Sequence, residues 1–452
     1  NGGSLFGPTT AVGIKNYAMT EWGFSSNDAY HFAFAVACVA LVLSIVIYYV
    51  FRSTFRHVEG GKKKGDAAVI EDNLTPEQTK QRIVALCLVF AVVIFFWMAF
   101  HQNGLTLTYF ADEFTYTTAM GIETMVFNVW NLALIIVAVY ASFSIFQSTS
   151  AKGKLFSGVL ASAVLAFLVY RAYGIAPDAE VAVAAPIFQQ FNPFYVVALT
   201  PVSMAIFGAL AKSGKEPSAP RKIAYGMMVA AIGFAIMAIG SRGLNTPNDQ
   251  ARAIAVEKAE GLAQDIYAAQ GDEEAMKVAE KAKSDFEGKL TSETKEVFEQ
   301  VFAAQSTILA ANTVVATEVA EGDEVVAEEV AVDPALAEAE ATLAAIKAET
   351  KPSTRTSAYW LILTYLILTF AELLLSPMGI SFVSKVAPPK LKGLMMGGWF
   401  VATAFGNMLV AVGGFLWAGL PLWSVWTVFI VLCLLSALFM FIMMKKLENA
   451  TK

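Results

Sequence analysis

Two ionisable side chains stand where such groups are costly. Glu372 falls inside the apolar run 357–384, between Phe370-Ala371 and Leu373-Leu374-Leu375, with Ser376-Pro377 just beyond. A charge near the centre of a bilayer costs at least about 2.5 kcal/mol on insertion scales. A carboxylate kept there suits a proton carrier or a counter-charge for a cationic substrate group; the alternative is a structural carboxylate hydrogen-bonded to a neighbouring helix. His101 stands in Trp97-Met98-Ala99-Phe100-His101-Gln102-Asn103-Gly104, a polar cluster in the outer half of an otherwise apolar run. Imidazole titrates in the physiological range in water, and the adjacent amides of Gln102 and Asn103 could bind a peptide-like ligand. A buried, satisfied histidine is the competing reading.

Three proline-interrupted places add to this. Asn192-Pro193 opens one apolar run, Pro201 falls inside it, and Pro377 lies just past Glu372. Missing backbone hydrogen bonds at such points leave polar groups to line a cavity, or mark ordinary kinks. Trp399 follows the small-residue segment Gly393-Leu394-Met395-Met396-Gly397-Gly398 and serves either as packing or as a wall on which a ligand stacks. No phosphate-binding Gly-rich Lys motif, paired His with Glu on a helix, or nucleophile elbow occurs, so no enzyme is expected. His31, His57 and His101 lack metal-ligand spacing, and Cys38, Cys87 and Cys433 all sit in apolar runs, so neither a metal site nor a disulfide framework is expected. Lys62 to Lys64 reads as a charged loop, with no support for nucleic-acid binding.

The elements that position these residues follow from hydropathy. The chain has 452 residues, is 56% apolar and 15% charged, and has a mean hydropathy of +0.56. Runs of about 20 residues or more, enough to cross a bilayer, lie near 29–51, 84–110, 122–147, 155–174, 190–211, 222–241, 357–384, 393–417 and 423–444, and 1–17 reads as most of a tenth. The fold class is therefore an all-α polytopic membrane protein. Lys and Arg cluster in alternate loops, whereas 18–28, 111–121, 176–189 and 418–422 contain none. By the positive-inside rule this places the C-terminus in the cytoplasm, with ten spans starting and ending inside. The chain opens on Asn1 with no basic leader or cleavable signal and is expected to be the C-terminal portion of a longer protein.

The net charge of −6 combines two different materials: residues 241–356 carry −12 and the remainder +6. The acidic stretch 242–356 falls outside the membrane by parity. Ile254, Leu262, Ile266 and Val278 recur at helical spacing, which predicts soluble amphipathic helices. Asp333-Pro334 reads as the start of a last helix toward Glu349, while Asn312 to Val332 reads as extended or disordered. This insert is a partner-docking domain, its partner unknown, or a solvated decoration. On the other side Gly60 to Asn73 reads as a linker, and Thr75-Pro76-Glu77-Gln78 as a capping box.

Phe370-Ala371-Glu372-Leu373-Leu374-Leu375-Ser376-Pro377-Met378-Gly379-Ile380-Ser381, then Ala387-Pro388-Pro389-Lys390-Leu391-Lys392-Gly393 through Phe400, resembles the tenth and eleventh helices of the proton-dependent oligopeptide transporters of the major facilitator superfamily. Phe96-Trp97 through Thr106 looks like the family's seventh helix, Phe191-Asn192-Pro193-Phe194 its eighth, and Asn1-Gly2-Gly3-Ser4-Leu5 the end of its fifth-helix signature.

The resemblance implies a helical bundle that moves di- and tripeptides with protons by alternating access. It needs no cofactor besides the coupling proton and sits in a bacterial inner membrane with the lipid bilayer as its surroundings. It further implies that Glu372 meets the peptide's α-amino group, Asn192 its backbone or carboxylate, and Trp399 a pocket wall. Gln102, Asn103 and Ser376 join the substrate set, and His101 shares proton coupling with Glu372.

The implied organisation is 1–51 as the end of the N-terminal half, 52–83 as cytoplasmic linker, and 84–241 as the start of the C-terminal half. The insert 242–356 is periplasmic, and 357–452 holds the last three helices and tail. His101 stands where many members carry a glutamate, and the extra pair of helices at 122–174 falls between the seventh- and eighth-helix matches. Competing functions are a relative moving another anionic or zwitterionic solute, and a non-transporting membrane scaffold or sensor acting through the insert.

Overall fold

A computed structural model describes residues 2–55, 74–320 and 334–450. In chain order the helices are α1 (Gly2–Thr20), α2 (Ser26–Val50), α3 (Arg52–Phe55), α4 (Pro76–Phe100), α5 (Thr106–Phe114), α6 (Thr124–Phe127), α7 (Val129–Gln147), α8 (Ala151–Tyr173), α9 (Phe191–Lys212) and α10 (Ala219–Gly240). There follow α11 (Pro247–Ala268), α12 (Glu273–Glu287), α13 (Ser292–Ala320) and α14 (Pro334–Glu349), then α15 (Tyr359–Val386), α16 (Lys392–Leu409), α17 (Ala411–Gly419), α18 (Leu422–Ile442) and α19 (Met444–Asn449). Strands β1 (Thr118–Met120) and β2 (Glu180–Ala182) pair antiparallel, Ala119 opposite Val181.

Among the described residues, nine helical segments are long and apolar enough to cross a membrane. They coincide with the nine full runs of the sequence, and the protein is an all-α polytopic membrane protein. The run 1–17 lies in helix α1 but is not among the nine; its Gly, Thr, Asn and Lys residues dilute the apolar character. Thr75 caps α4 as expected: its hydroxyl accepts from Gln78 N at 3.2 Å, and its own N–H donates to Gln78 Oε1 at 2.9 Å. The linker Gly60 to Asn73 and the cap at Asp333 lie outside the described residues.

The chain forms two compact units. One comprises residues 1–14, 33–242 and 356–452. Here α10 packs along α15 and α18, α4 against α16 and α18, α9 against α15, and α7 against α8. Bilayer lipid offers no hydrophobic drive for helices to associate, so close van der Waals approach has to hold them. Gly226, Gly233 and Gly240, each two turns apart, give α10 its seam: a Cβ there would meet Ala371 O at 2.9 Å, the Leu368 side chain at 3.1 Å, and the Trp360 ring at 2.7 Å respectively. Further along α15, the Trp399 ring fills the place a Cβ of Gly379 would take.

The other unit comprises residues 15–32 and 243–355, so the acidic stretch is joined by the end of the run 1–17, the loop after it and the start of the run 29–51. Its helices are the expected amphipathic ones. Phe298 and Val301 of α13 pack with Ala255, Val256 and Ala259 of α11 and Ile346 of α14. Leu262 is buried, Ile254 and Ile266 are half-buried, and Val278 is exposed. Thr246 caps α11 by accepting from Asp249 N at 3.2 Å. Ser26 N donates to Asp285 Oδ1 at 2.8 Å, and Lys281 Nζ donates to Met19 O at 3.1 Å.

Helix α13 continues to Ala320, which corrects the expectation of extended or disordered chain over its last residues. Adding a residue to an existing helix costs far less than nucleating one, and this overrides the alternating Val pattern. The Lys351 ammonium hydrogen-bonded to Asp249 holds that carboxyl below its usual range. The small stabilisation from this half-exposed pair is present above the ordinary carboxylate range and is lost as pH falls.

The glycine seams predict position-dependent costs. Gly226→Ala and Gly379→Ala should each destabilise by roughly 1–3 kcal/mol through overpacking, seen as lower thermal midpoints of the purified protein in detergent. Gly393→Ala, with open space around it, should melt unchanged.

Candidate functional site

Glu372 lies about half-way along the 28-residue helix α15. Asn192 is the second residue of α9 and reaches it: Nδ2 donates to Glu372 Oε2 at 3.0 Å and to Thr369 Oγ1 at 3.2 Å. Thr369, one turn before Glu372 and fully buried, donates in turn to Tyr365 O at 2.7 Å. Tyr365 closes the series by donating its hydroxyl to Asn103 O at 2.9 Å. A run of polar contacts therefore links α9, the middle of α15 and the turn after α4. Proline explains the start of α9, where Pro193 follows Asn192 without needing an N–H partner. Pro377 withholds a hydrogen bond from Leu373 O, leaving α15 less tightly bonded next to Glu372. Ser376 sits half-buried one turn beyond Glu372.

The turn after α4 is a short 3-10 segment, His101–Gly104. Gln102 holds it. That side chain is fully buried, Nε2 donates to Met98 O and Val410 O at 3.1 Å each, and Oε1 accepts from Thr106 Oγ1 at 3.0 Å. Only glycine fits at 413, since any Cβ there would overlap the Gln102 amide. The break between α4 and α5 is thereby stitched to the break between α16 and α17 at Val410. His101 is half-buried and stacks on Trp97, ring centroids 5.2 Å apart. The Trp97 indole N–H is buried without a hydrogen-bond partner among the described residues. Trp399 is buried, its ring against Gly379 and edge-on to Phe90 at 6.4 Å.

A cavity of about 460 Å³ lies between the polar side chains of Asn103, Gln189 and Asn192 and the small residues Gly7, Pro8 and Ala11 of α1. The structure thus brings Asn192 and Glu372 into direct contact and sets Asn103 beside Asn192 at one cavity. His101, Gln102 and Trp399 are engaged in other contacts. Two polar groups escaped notice in the sequence. Gln189 lines the cavity and donates to Thr108 Oγ1 at 3.2 Å; the pair Gln189-Gln190 ahead of Asn192 is the signal that marks it. Glu113 accepts from the Trp417 indole at 3.2 and 3.3 Å, and lies three residues past the end of the apolar run 84–110. Among the described residues, no group of His, Cys, Asp and Glu could hold a metal ion.

Residues 166–260 and 331–414 match the profile of the POT family, and these segments hold Asn192, Glu372, Ser376 and Trp399. A 102-residue stretch is 32% identical to the peptide transporter YePEPT of Yersinia enterocolitica subsp. palearctica, covering 21% of this chain and 20% of that protein. Over 59 residues the chain is 39% identical to dipeptide and tripeptide permease A of Citrobacter koseri, covering 13% of this chain and 11% of that one. Over 65 residues it is 40% identical to dipeptide and tripeptide permease B of Salmonella typhimurium, covering 13% of each. The chain thus spans a fifth or less of the length of these curated relatives. No solved structure matches it.

The hydrogen-bond series predicts a modest, local effect at its end. Tyr365→Phe removes one of the two hydroxyl donors to Asn103 O, leaving Thr108 Oγ1 at 3.1 Å, and should cost about 0.5–1.5 kcal/mol, read as a lowered thermal midpoint with the protein still folded and inserted.

Proposed function

We propose that this chain, which matches the POT family profile over residues 166–260 and 331–414, forms part of a proton-coupled symporter of di- and tripeptides that works by alternating access. The observation that carries this reading is the contact of Asn192 with Glu372 beside a cavity lined by further amides. A carboxylate in an apolar helix is stabilised by amide donors, by a cationic ligand or by a proton. Asn192 supplies the first. The α-ammonium of a bound peptide supplies the second in place of Asn192, and the coupling proton supplies the third once the peptide has left. Exchange among these three partners ties peptide movement to proton movement without a cofactor.

Amides at Asn103 and Gln189 are suited to the peptide's own carbonyl and N–H groups, and Ser376 lies one turn along the same helix. His101 is assigned a share in proton coupling because imidazole gains and loses a proton near neutrality in water. Trp399 shapes the site from behind by filling the space at Gly379. The distribution of Lys and Arg supports a bacterial inner-membrane setting with the C-terminus in the cytoplasm and 242–356 in the periplasm.

In the full-length protein carrying this chain, reconstituted into proteoliposomes, Glu372→Gln should lower proton-driven uptake of labelled alanylalanine at least tenfold. That follows from the loss of about 1.5–3 kcal/mol of hydrogen bonding to a charged group. Unlabelled dipeptides should compete and nitrate should not. Uptake at the unsubstituted rate, with equal protein inserted, would overturn the role given to Glu372.

A further inference from the structure

The first unit carries a second cavity that shares no residue with the one beside Asn192. It measures about 350 Å³, and its walls include Tyr116, Met120, Glu123, Phe127, Tyr359 and Ile362. That volume falls within the range of about 300–1,000 Å³ typical of small-molecule pockets. Glu123 is the one ionisable carboxylate in its lining. Tyr359 shares the cavity with it, and among the described residues no Lys, Arg or His forms an ion pair with it. The flanking segments 111–121 and 176–189 contain no Lys or Arg. Tyr116, Met120 and Tyr359 are each more than half exposed, so the cavity is open to a ligand.

The walls are held in place. β1 and β2 pair across the extra helices α7 and α8. Gly121 takes a positive φ of 53°, where its N–H donates to Ala179 O at 2.7 Å and a Cβ would press on Pro177 O at 3.1 Å. Thr124 Oγ1 donates to Gly121 O at 2.7 Å, which fixes the turn that carries Glu123. Thr356 N donates to Phe114 O at 2.7 Å and ties the approach to α15 to the same strap. A carboxylate without a cation of its own, among tyrosine and phenylalanine rings in a rigid cavity, is complementary to an ammonium group. The charge pairs with the carboxylate, and the ring faces attract the cation. Residues 115–127 also lie outside the segments matched by the family profile.

We infer that Glu123, with the rings of Tyr116, Phe127 and Tyr359, forms a second binding site for the primary ammonium group of a short peptide. The ammonium belongs either to the peptide's amino terminus or to a lysine side chain. Naming a peptide as the carrier rests on the transport reading above, whereas the ammonium site stands on this cavity alone. The competing role for Glu123 is purely structural, offsetting the positive end of α15 at Tyr359.

The test is calorimetric titration of the full-length protein in lipid nanodiscs, in a Glu372→Gln background that disables the central site. The probes are alanylalanine, which has an amino terminus only, N-acetyl-lysine amide, which has a side chain only, and N-acetyl-alanylalanine, which has neither. At least one of the first two should bind, naming the source of the ammonium, and the third should bind at least tenfold more weakly. Adding Glu123→Gln should weaken that binding at least tenfold, and Glu123→Asp should restore part of it.

Binding unchanged by Glu123→Gln would overturn the inference, as would equal binding of N-acetyl-alanylalanine or no binding by any probe. A lower melting temperature with unchanged binding would also overturn it, assigning Glu123 to the end of α15. Failure of the unsubstituted full-length protein to take up labelled alanylalanine in proteoliposomes would sink the transport reading, whereas the ammonium site is decided by the effect of Glu123→Gln on binding.

Discussion

A carboxylate half-way along an apolar 28-residue helix has no water to solvate it, and the arrangement around Glu372 answers that constraint. Asn192 comes from the first turn of a neighbouring helix because only a side chain from outside α15 can present an N–H to Glu372; the helix's own N–H groups are already committed to its backbone. Asn192 is held by a second contact to Thr369, Thr369 is bonded to its own helix, and Tyr365 extends the chain of contacts to Asn103. A charge in this position therefore organises α9, α15 and the turn after α4 together.

The helices around this centre meet through small residues and are interrupted at chosen places. The seam of Gly226, Gly233 and Gly240 lets α10 lie directly on α15, while α9 and Trp399 pack against other positions of α15. The interruptions occur at His101–Gly104, at Val410 and at Pro201 and Pro377. Each frees backbone groups that then need partners. Gln102 meets that need twice over, bonding both Met98 O and Val410 O. Buried polar groups that are fully satisfied give rigidity, while those facing the cavity, Asn103, Gln189 and Asn192, remain near space a ligand can enter.

Much of this was legible in the sequence wherever one dominant force decides the outcome. Bilayer thickness sets the length of the apolar runs, so the nine membrane-length helices among the described residues could be read from hydropathy, while the expected tenth at 1–17 is not among them; the cap at Thr75 followed from side-chain chemistry at one turn, and Glu372 stood out by its cost. What needed the structure depends on contacts between distant residues. Gln102 and Asn103 are adjacent, yet one stitches two helix breaks together and the other faces a cavity. Gln189 gains its position only from the fold of the segment before α9. Glu113 and Glu123 owe their surroundings to distant segments: the Trp417 indole bonds Glu113, and Tyr359 shares a cavity with Glu123. The recruitment of residues 15–32 to the acidic unit was likewise invisible, because it rests on single contacts such as Ser26 with Asp285.

If Asn192 and Glu372 act as one unit, their removal cannot be additive. The most direct measurement is the affinity for alanylalanine of the full-length protein in nanodiscs with Asn192→Ala, Glu372→Ala and both substitutions. A coupling of about 0.5–3 kcal/mol between the two is the predicted result, with the double substitution costing less than the two single ones combined. Strictly additive effects would contradict the account, since each residue would then meet the peptide, or fail to, independently of the other.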